Sequence, residues 1–214
     1  MAKTDKKSWR KACQKEMEKA ALKEAKSRTG KKTPAFMYRW EHVQAVVAQA
    51  LKLAKKTKAD KEIVEAAAWL HDIKKFEDGP KHAKLGAKFA LEFLPKTDFP
   101  AEKIDAVAAA ISVHAGLWRD KPLKNLESQV LWDADKLTKI GLTAVFHILP
   151  NELLRPGRQH TTESIVAFGK NAEWQSKTVA SFHTEPARKA GAKRLKSLRK
   201  MWDQVEKELA GNDL

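Results

Sequence analysis

The chain contains two histidines and two aspartates placed where a metal ion could use them. The pair His71-Asp72 closes the mostly apolar stretch Ile63-Val64-Glu65-Ala66-Ala67-Ala68-Trp69-Leu70. Burying two ionisable groups side by side is costly unless something compensates them. A cation compensates both, because imidazole nitrogen and carboxylate oxygen are ordinary ligands of Zn, Mn, Fe, Co or Mg. His42 lies 29 residues before His71, and Asp135 lies 63 residues after Asp72, each beside apolar neighbours. Two imidazoles and two carboxylates leave vacant positions on a metal that takes five or six ligands. Water and a substrate oxygen can fill them, which suits hydrolysis of a phosphoester or phosphoanhydride. Asp133 is a rival for the last ligand, two residues earlier.

Helices must carry these residues. Ala, Lys, Leu and Glu dominate, and apolar residues recur at helical spacing with no period-two runs. A basic helix is predicted over 6–28, broken at Thr29-Gly30-Lys31-Lys32-Thr33-Pro34. Further helices are predicted over 38–56, then from the N-cap Asp60 to 73, then over 81–94, 100–114, 126–149, 162–182 and 186–209. Pro95 and Pro150 are expected to end two of them, and Arg155-Pro156-Gly157-Arg158 reads as a linker. The metal candidates then come from three helices of an all-α bundle, and bundle interiors are where such folds build metal sites.

The order and local context of these residues resemble the HD-domain superfamily of metal-dependent phosphohydrolases. His42 in Tyr38-Arg39-Trp40-Glu41-His42 matches the first ligand, and Ala67-Ala68-Trp69-Leu70-His71-Asp72-Ile73-Lys74-Lys75 matches the central pair. Asp135 in Trp132-Asp133-Ala134-Asp135-Lys136-Leu137 matches the last and is preferred to Asp133 on that context. The likeness covers about 100 of the 214 residues. It implies an HD-like helical bundle holding a divalent ion (Mn, Mg, Fe, Co, Ni or Zn) on His42, His71, Asp72 and Asp135. The catalytic candidates on this reading are Asp72, His82 and His114, with Lys75 added for its place three residues past Asp72 at the helix end. His82 and His114 are open to three readings: ligands of a second metal, contacts to substrate phosphate, or ordinary packing. Lys75 and Arg39 are each candidates to reach a phosphate; Lys75 reads equally well as a solvated helix-end lysine, and for Arg39 an exposed side chain is the default. Lys74 stands where many relatives have glycine, and no Gly-Tyr-Pro signature is present, which separates the chain from the cyclic-dinucleotide branch. His147, His160 and His183 lack such context and read as surface or packing residues.

The net charge of +15 is unevenly placed. Residues 1–35 hold 12 basic against 4 acidic groups (+8), 36–154 hold 18 against 16 (+2), and 155–214 hold 12 against 7 (+5). Three regions follow: a basic N-terminal arm or helix over 1–35, a metal-binding core over 36–154, and C-terminal helices over 155–214 that pack on the core. Basic flanks attract phosphate-bearing partners, though a charge run is more often a solvated face. The apolar spacing of Leu195, Leu198, Met201, Trp202 and Val205 favours packing for the last helix, and Trp9 is the anchor of the first. The expected substrate is a phosphorylated small molecule or nucleotide. The alternative is a nucleic-acid-binding or RNA/DNA-directed phosphodiesterase using the flanks, and a di-iron oxygenase is a further reading for a fully ligated site. No membrane-spanning run and no signal-like start are seen, and Cys13 is the only cysteine, so a cytoplasmic protein is expected.

Overall fold

The computed structural model describes residues 7–153, 159–170 and 173–214. Among these the secondary structure is helical, with one isolated bridge between Lys7 and Thr97. The helices in order are α1 (Trp9–Thr29), α2 (Tyr38–Thr57), α3 (Lys61–Leu70), α4 (His82–Phe93), α5 (Ile104–Ser112), α6 (Leu126–Leu137), α7 (Leu142–Leu153), α8 (Thr162–Lys170), α9 (Glu173–Ala180) and α10 (Glu185–Ala210). Short 3-10 turns at Leu94–Lys96 and Ala101–Lys103 follow α4 and precede α5. No helix among the described residues is long and apolar enough to cross a membrane.

α3 is the axis of the bundle. Asp60 caps it, its Oδ1 accepting from the amides of Glu62 (2.9 Å) and Ile63 (3.2 Å). Every residue from Ile63 to Leu70 is buried, as expected of a helix surrounded by others. α1, α2, α5 and α6 pack against it, and α4 lies on α5. Gly86 permits that last contact: a Cβ there would sit 3.2 Å from Ile111 Cγ2 and 3.3 Å from the His71 carbonyl oxygen. His71 and Asp72 therefore end a helix whose position is fixed by burial among its neighbours.

Three predicted boundaries shift. The helix expected over 126–149 divides into α6 and α7, because Gly141 adopts φ +101° and turns the chain back. A side chain at Gly141 would also lie 2.9 Å from Arg194 Cβ. α7 continues through Pro150 to Leu153; a proline near the last turn forfeits one internal hydrogen bond without stopping the helix. The helix expected over 162–182 is present as α8 and α9. The linker expected at 155–158 and the side chain of His147 lie outside the described residues.

The basic N-terminal segment is helical from Trp9, with Trp9, Cys13, Met17 and Ala21 in the main core. Trp9 stacks edge-on to Phe99 at 5.1 Å between ring centres. α10 buries Ala187, Gly191, Leu195, Leu198 and Trp202, close to the predicted apolar row.

Candidate metal centre

The four residues singled out from the sequence converge. His42 comes from the second turn of α2, His71 and Asp72 from the end of α3, and Asp135 from α6; all four are buried. His42 Nε2 lies 3.3 Å from Asp135 Oδ1 and 3.6 Å from Asp72 Oδ2. His71 Nε2 lies 3.7 Å from Asp72 Oδ2. His82, at the start of α4, and His114, just past α5, close the other side: their Nε2 atoms are 3.4 and 3.6 Å from Asp72 Oδ1. Two overlapping donor triads result, His42–His71–Asp135 and His71–Asp72–His114, each with its ligand atoms within 4.8 Å of one another.

The imidazoles are oriented by one repeated device. The Nδ1–H of His71, His82 and His114 donates to the backbone carbonyl three residues earlier, at Ala68 (2.8 Å), Gly79 (2.5 Å) and Ile111 (2.6 Å). Thr138 Oγ1 spends its proton on the Asp135 carbonyl (2.6 Å), so at 3.2 Å it accepts from His42 Nδ1. With each Nδ1 occupied, all four rings turn an Nε2 lone pair into the same space, the tautomer expected of metal-ligating histidines. His71 Nε2 is buried with no hydrogen-bond partner. The Nε2 atoms of His82 and His114 face one another at 3.1 Å, an arrangement that needs a proton or a cation nearby. The donor set thus fits a divalent ion by chemistry and by orientation.

Electrostatics points the same way. Burial pushes His71 down to about 3 and His42 to about 4, so both are neutral at neutral pH. Burial lowers His82 as well. Burial opposes charge on Asp72, but Arg39 and then His71 hold its carboxyl well below the usual carboxylate range. Asp135 is likewise held down, against burial, by Lys136 and Lys139. Lys136 is pushed down to about 8 by burial, and it donates both to Asp135 and to the His114 carbonyl (2.9 Å). Lys139 pairs with the other Asp135 oxygen.

Above this floor opens a cleft of about 410 Å³. Asp72, His82, His114 and Asp135 reach it, and Arg28, Arg39, Lys75, Lys136 and Lys139 line it. Lys75 Nζ lies 3.3 Å from His82 Nδ1. Arg39 is buried rather than solvated: its Nη1 donates to Asp72, and its Nε donates to Glu24 at 3.0 Å.

Asp133 faces away from this group. Its Oδ1 accepts from the His183 amide (2.9 Å) and lies 3.1 Å from His183 Nδ1, and its Oδ2 accepts from the Thr184 amide and hydroxyl (2.7 Å each). It ties the start of α10 to α6. His183, expected as a surface or packing residue, is part of that tie. Glu24, Arg28 and Thr138 were not singled out from the sequence, and Lys136 and Lys139 were readable there only as ion-pair partners of Asp135. Glu24 carried a signal: it falls seven residues after Met17 and three after Ala21, in the apolar row of α1. Lys139 carried another, one helical turn past Asp135.

The chain carries an HD domain: residues 39–140 match the model of that family. No curated protein matches the sequence. Among solved structures, Bacillus subtilis YpgQ in complex with ADP is 22% identical, with 91% of this chain and 98% of that chain covered and a TM-score of 0.64. A predicted HD superfamily hydrolase from an uncultured Thermotogales bacterium is 24% identical over 94% of this chain and 91% of its own, at a TM-score of 0.61. An HD-superfamily hydrolase from Bacillus thuringiensis is 18% identical over 92% and 98%, also at 0.61. At these identities the shared property is the fold.

Proposed function

We propose that this protein is a metal-dependent hydrolase that cleaves phosphoester or phosphoanhydride bonds in a nucleotide or another phosphorylated small molecule. The observation that carries this reading is the convergence of four outward-locked imidazoles and two carboxylates on the floor of a cation-lined cleft. His42, His71, Asp72 and Asp135 would hold the ion. A divalent ion held there supplies a water of lowered pKa and polarises a phosphoryl oxygen. The chain's own groups do the rest. Asp72, ionised and central, can orient the attacking water and accept its proton. Lys75, Lys139 and Arg39 offset negative charge that develops at phosphorus. His82 and His114, beside the mouth, can contact a phosphate or give a proton to the leaving oxygen, and with His71 and Asp72 they could instead hold a second ion. The ADP bound in the YpgQ structure supports a nucleotide as the ligand.

The experiment is a screen of purified protein loaded in turn with Mn, Mg, Co, Ni, Fe or Zn against nucleotides and phosphoesters, with metal content measured alongside. Turnover that vanishes with chelation and in Asp72→Ala is expected. An Asp72→Ala protein that keeps both metal and turnover would overturn the reading.

A second reading, a nucleic-acid-directed phosphodiesterase, is favoured by one observation. Lys7, Lys11, Lys15, Lys19 and Lys96 line a groove of about 890 Å³ beside α1. Four of them recur every fourth residue, about 6 Å apart along the helix axis. Steeply salt-dependent retention on single-stranded RNA or DNA, together with cleavage of it, would place the activity there.

A further inference from the structure

α1 lies outside the span that matches the HD family, yet its Arg28 lines the cleft. Its contribution centres on Glu24, a carboxylate only 3% exposed. One Glu24 oxygen accepts from Arg28 at 2.8 Å, and the other accepts from Arg39 Nε at 3.0 Å. Arg39 continues to Asp72, so a single buried acid fixes two guanidinium groups at two depths of the same cleft. Arg39 reaches the floor. Arg28 remains 43% exposed and lines the mouth. An ordinary surface pair one helical turn apart contributes only about 0.3–0.5 kcal/mol and gives no reason to bury the acid. Here the acid is buried because it serves both arginines.

The charge balance indicates what such an arrangement receives. Arg28, Arg39, Lys75, Lys136 and Lys139 face the carboxylates of Asp72, Asp135 and Glu24, a net of two positive charges before any divalent ion is added. With an ion bound, one phosphate monoester leaves positive charge over at the mouth. A planar guanidinium held from behind, with its remaining N–H groups free to turn outward, is suited to the oxygens of a second phosphate. We propose that Arg28, positioned by Glu24, forms an outer subsite for a second phosphate group, so that the ligand of this cleft carries a diphosphate or longer polyphosphate. This rests on the reading of the cleft as a phosphohydrolase site.

The test is calorimetric titration of the Mn-loaded protein with AMP and with α,β-methylene ADP, an analogue that resists hydrolysis. The wild type is expected to prefer the diphosphate by about tenfold, the scale of one charge-assisted contact. Arg28→Ala is expected to bring that ratio close to one, and Arg28→Lys to restore part of it. Because Arg28 is exposed, neither substitution threatens folding. Glu24→Gln, which weakens the hold on the guanidinium, is expected to give an intermediate ratio. An unchanged ratio in Arg28→Ala, or no diphosphate preference in the wild type, overturns the subsite. Phosphate release from ADP is followed separately. A wild type that prefers the diphosphate through Arg28 but hydrolyses nothing would sink the hydrolase reading and leave the subsite standing.

Discussion

α1 and α10 have nearly the same composition and opposite uses. Both are long and basic, both flank the span that matches the HD family, and both bury an apolar row, α1's in the main core and α10's divided between that core and a second cluster with Val166. α1 turns polar groups inward at its C-terminal half, where Glu24 and Arg28 meet Arg39 and the cleft. α10 spends its arginines on the scaffold. Arg188 donates to the carbonyls of Phe182 and His183, and Arg194 donates to the Leu137 carbonyl (2.7 Å) and to Gln49 (2.9 Å). Asp133 then anchors the start of α10 as Asp72 anchors the floor of the cleft. A count of lysines and arginines does not separate these roles. What separates them is the acceptor: a buried acid beside open space for Arg28, and scaffold carbonyls and an amide for Arg188 and Arg194.

The largest effect should come from the floor. Asp72→Ala is expected to lower turnover and metal retention by more than about 100-fold, read by phosphate release and metal analysis. Arg39→Ala should follow. It strands the buried carboxylate of Asp72, leaves Glu24 with Arg28 alone, and should cost about 3–5 kcal/mol in urea unfolding, with loss of activity in the molecules that remain folded. On the α10 side, Asp133→Ala leaves the His183 and Thr184 amides without their acceptor. It should cost about 3 kcal/mol of stability while kcat per folded molecule is retained. A large loss of kcat at full folding would collapse the contrast between the two helices.

Acid should weaken the metal-free protein in a defined window. His71 and His42 are held near 3 and 4 when folded, against 6.5 for an ordinary histidine. Below pH 6.5 the unfolded chain takes up protons that the folded chain refuses. Stability is therefore fully present above 6.5 and falls as pH drops toward 4, by on the order of 1 kcal/mol per pH unit for each histidine. Urea unfolding of chelator-treated protein at pH 7, 6 and 5 checks this, and added metal should move the loss to lower pH. The smallest effect is assigned to Arg194→Ala, about 1 kcal/mol with kcat and KM unchanged.

The helical class and the central apolar helix ending in His71-Asp72 were legible because each depends on local pattern, whereas His42 and Asp135 were legible only through the motif context of the HD resemblance. An apolar run with an ionic pair at its end announces a compensated site wherever it folds. The split at Gly141 was not legible: apolar spacing runs through it, and only the positive φ and the approach of Arg194 show the turn. The choice between Asp133 and Asp135 rested on motif context, since two acids on one helix turn point to different neighbours once the helix is placed. Arg39 read by default as exposed and is buried instead, because nothing local to it reveals Glu24 fifteen residues earlier.

By itself the sequence determined which side chains could bind a cation and that helices would carry them, because side-chain chemistry and helical period are properties of the chain alone. Only the tertiary structure decided that four rings present Nε2 to one space, that Glu24 joins two arginines to that space, and that α1 and α10 part ways. Those facts depend on distances between residues far apart in the chain, and packing of the apolar faces sets those distances.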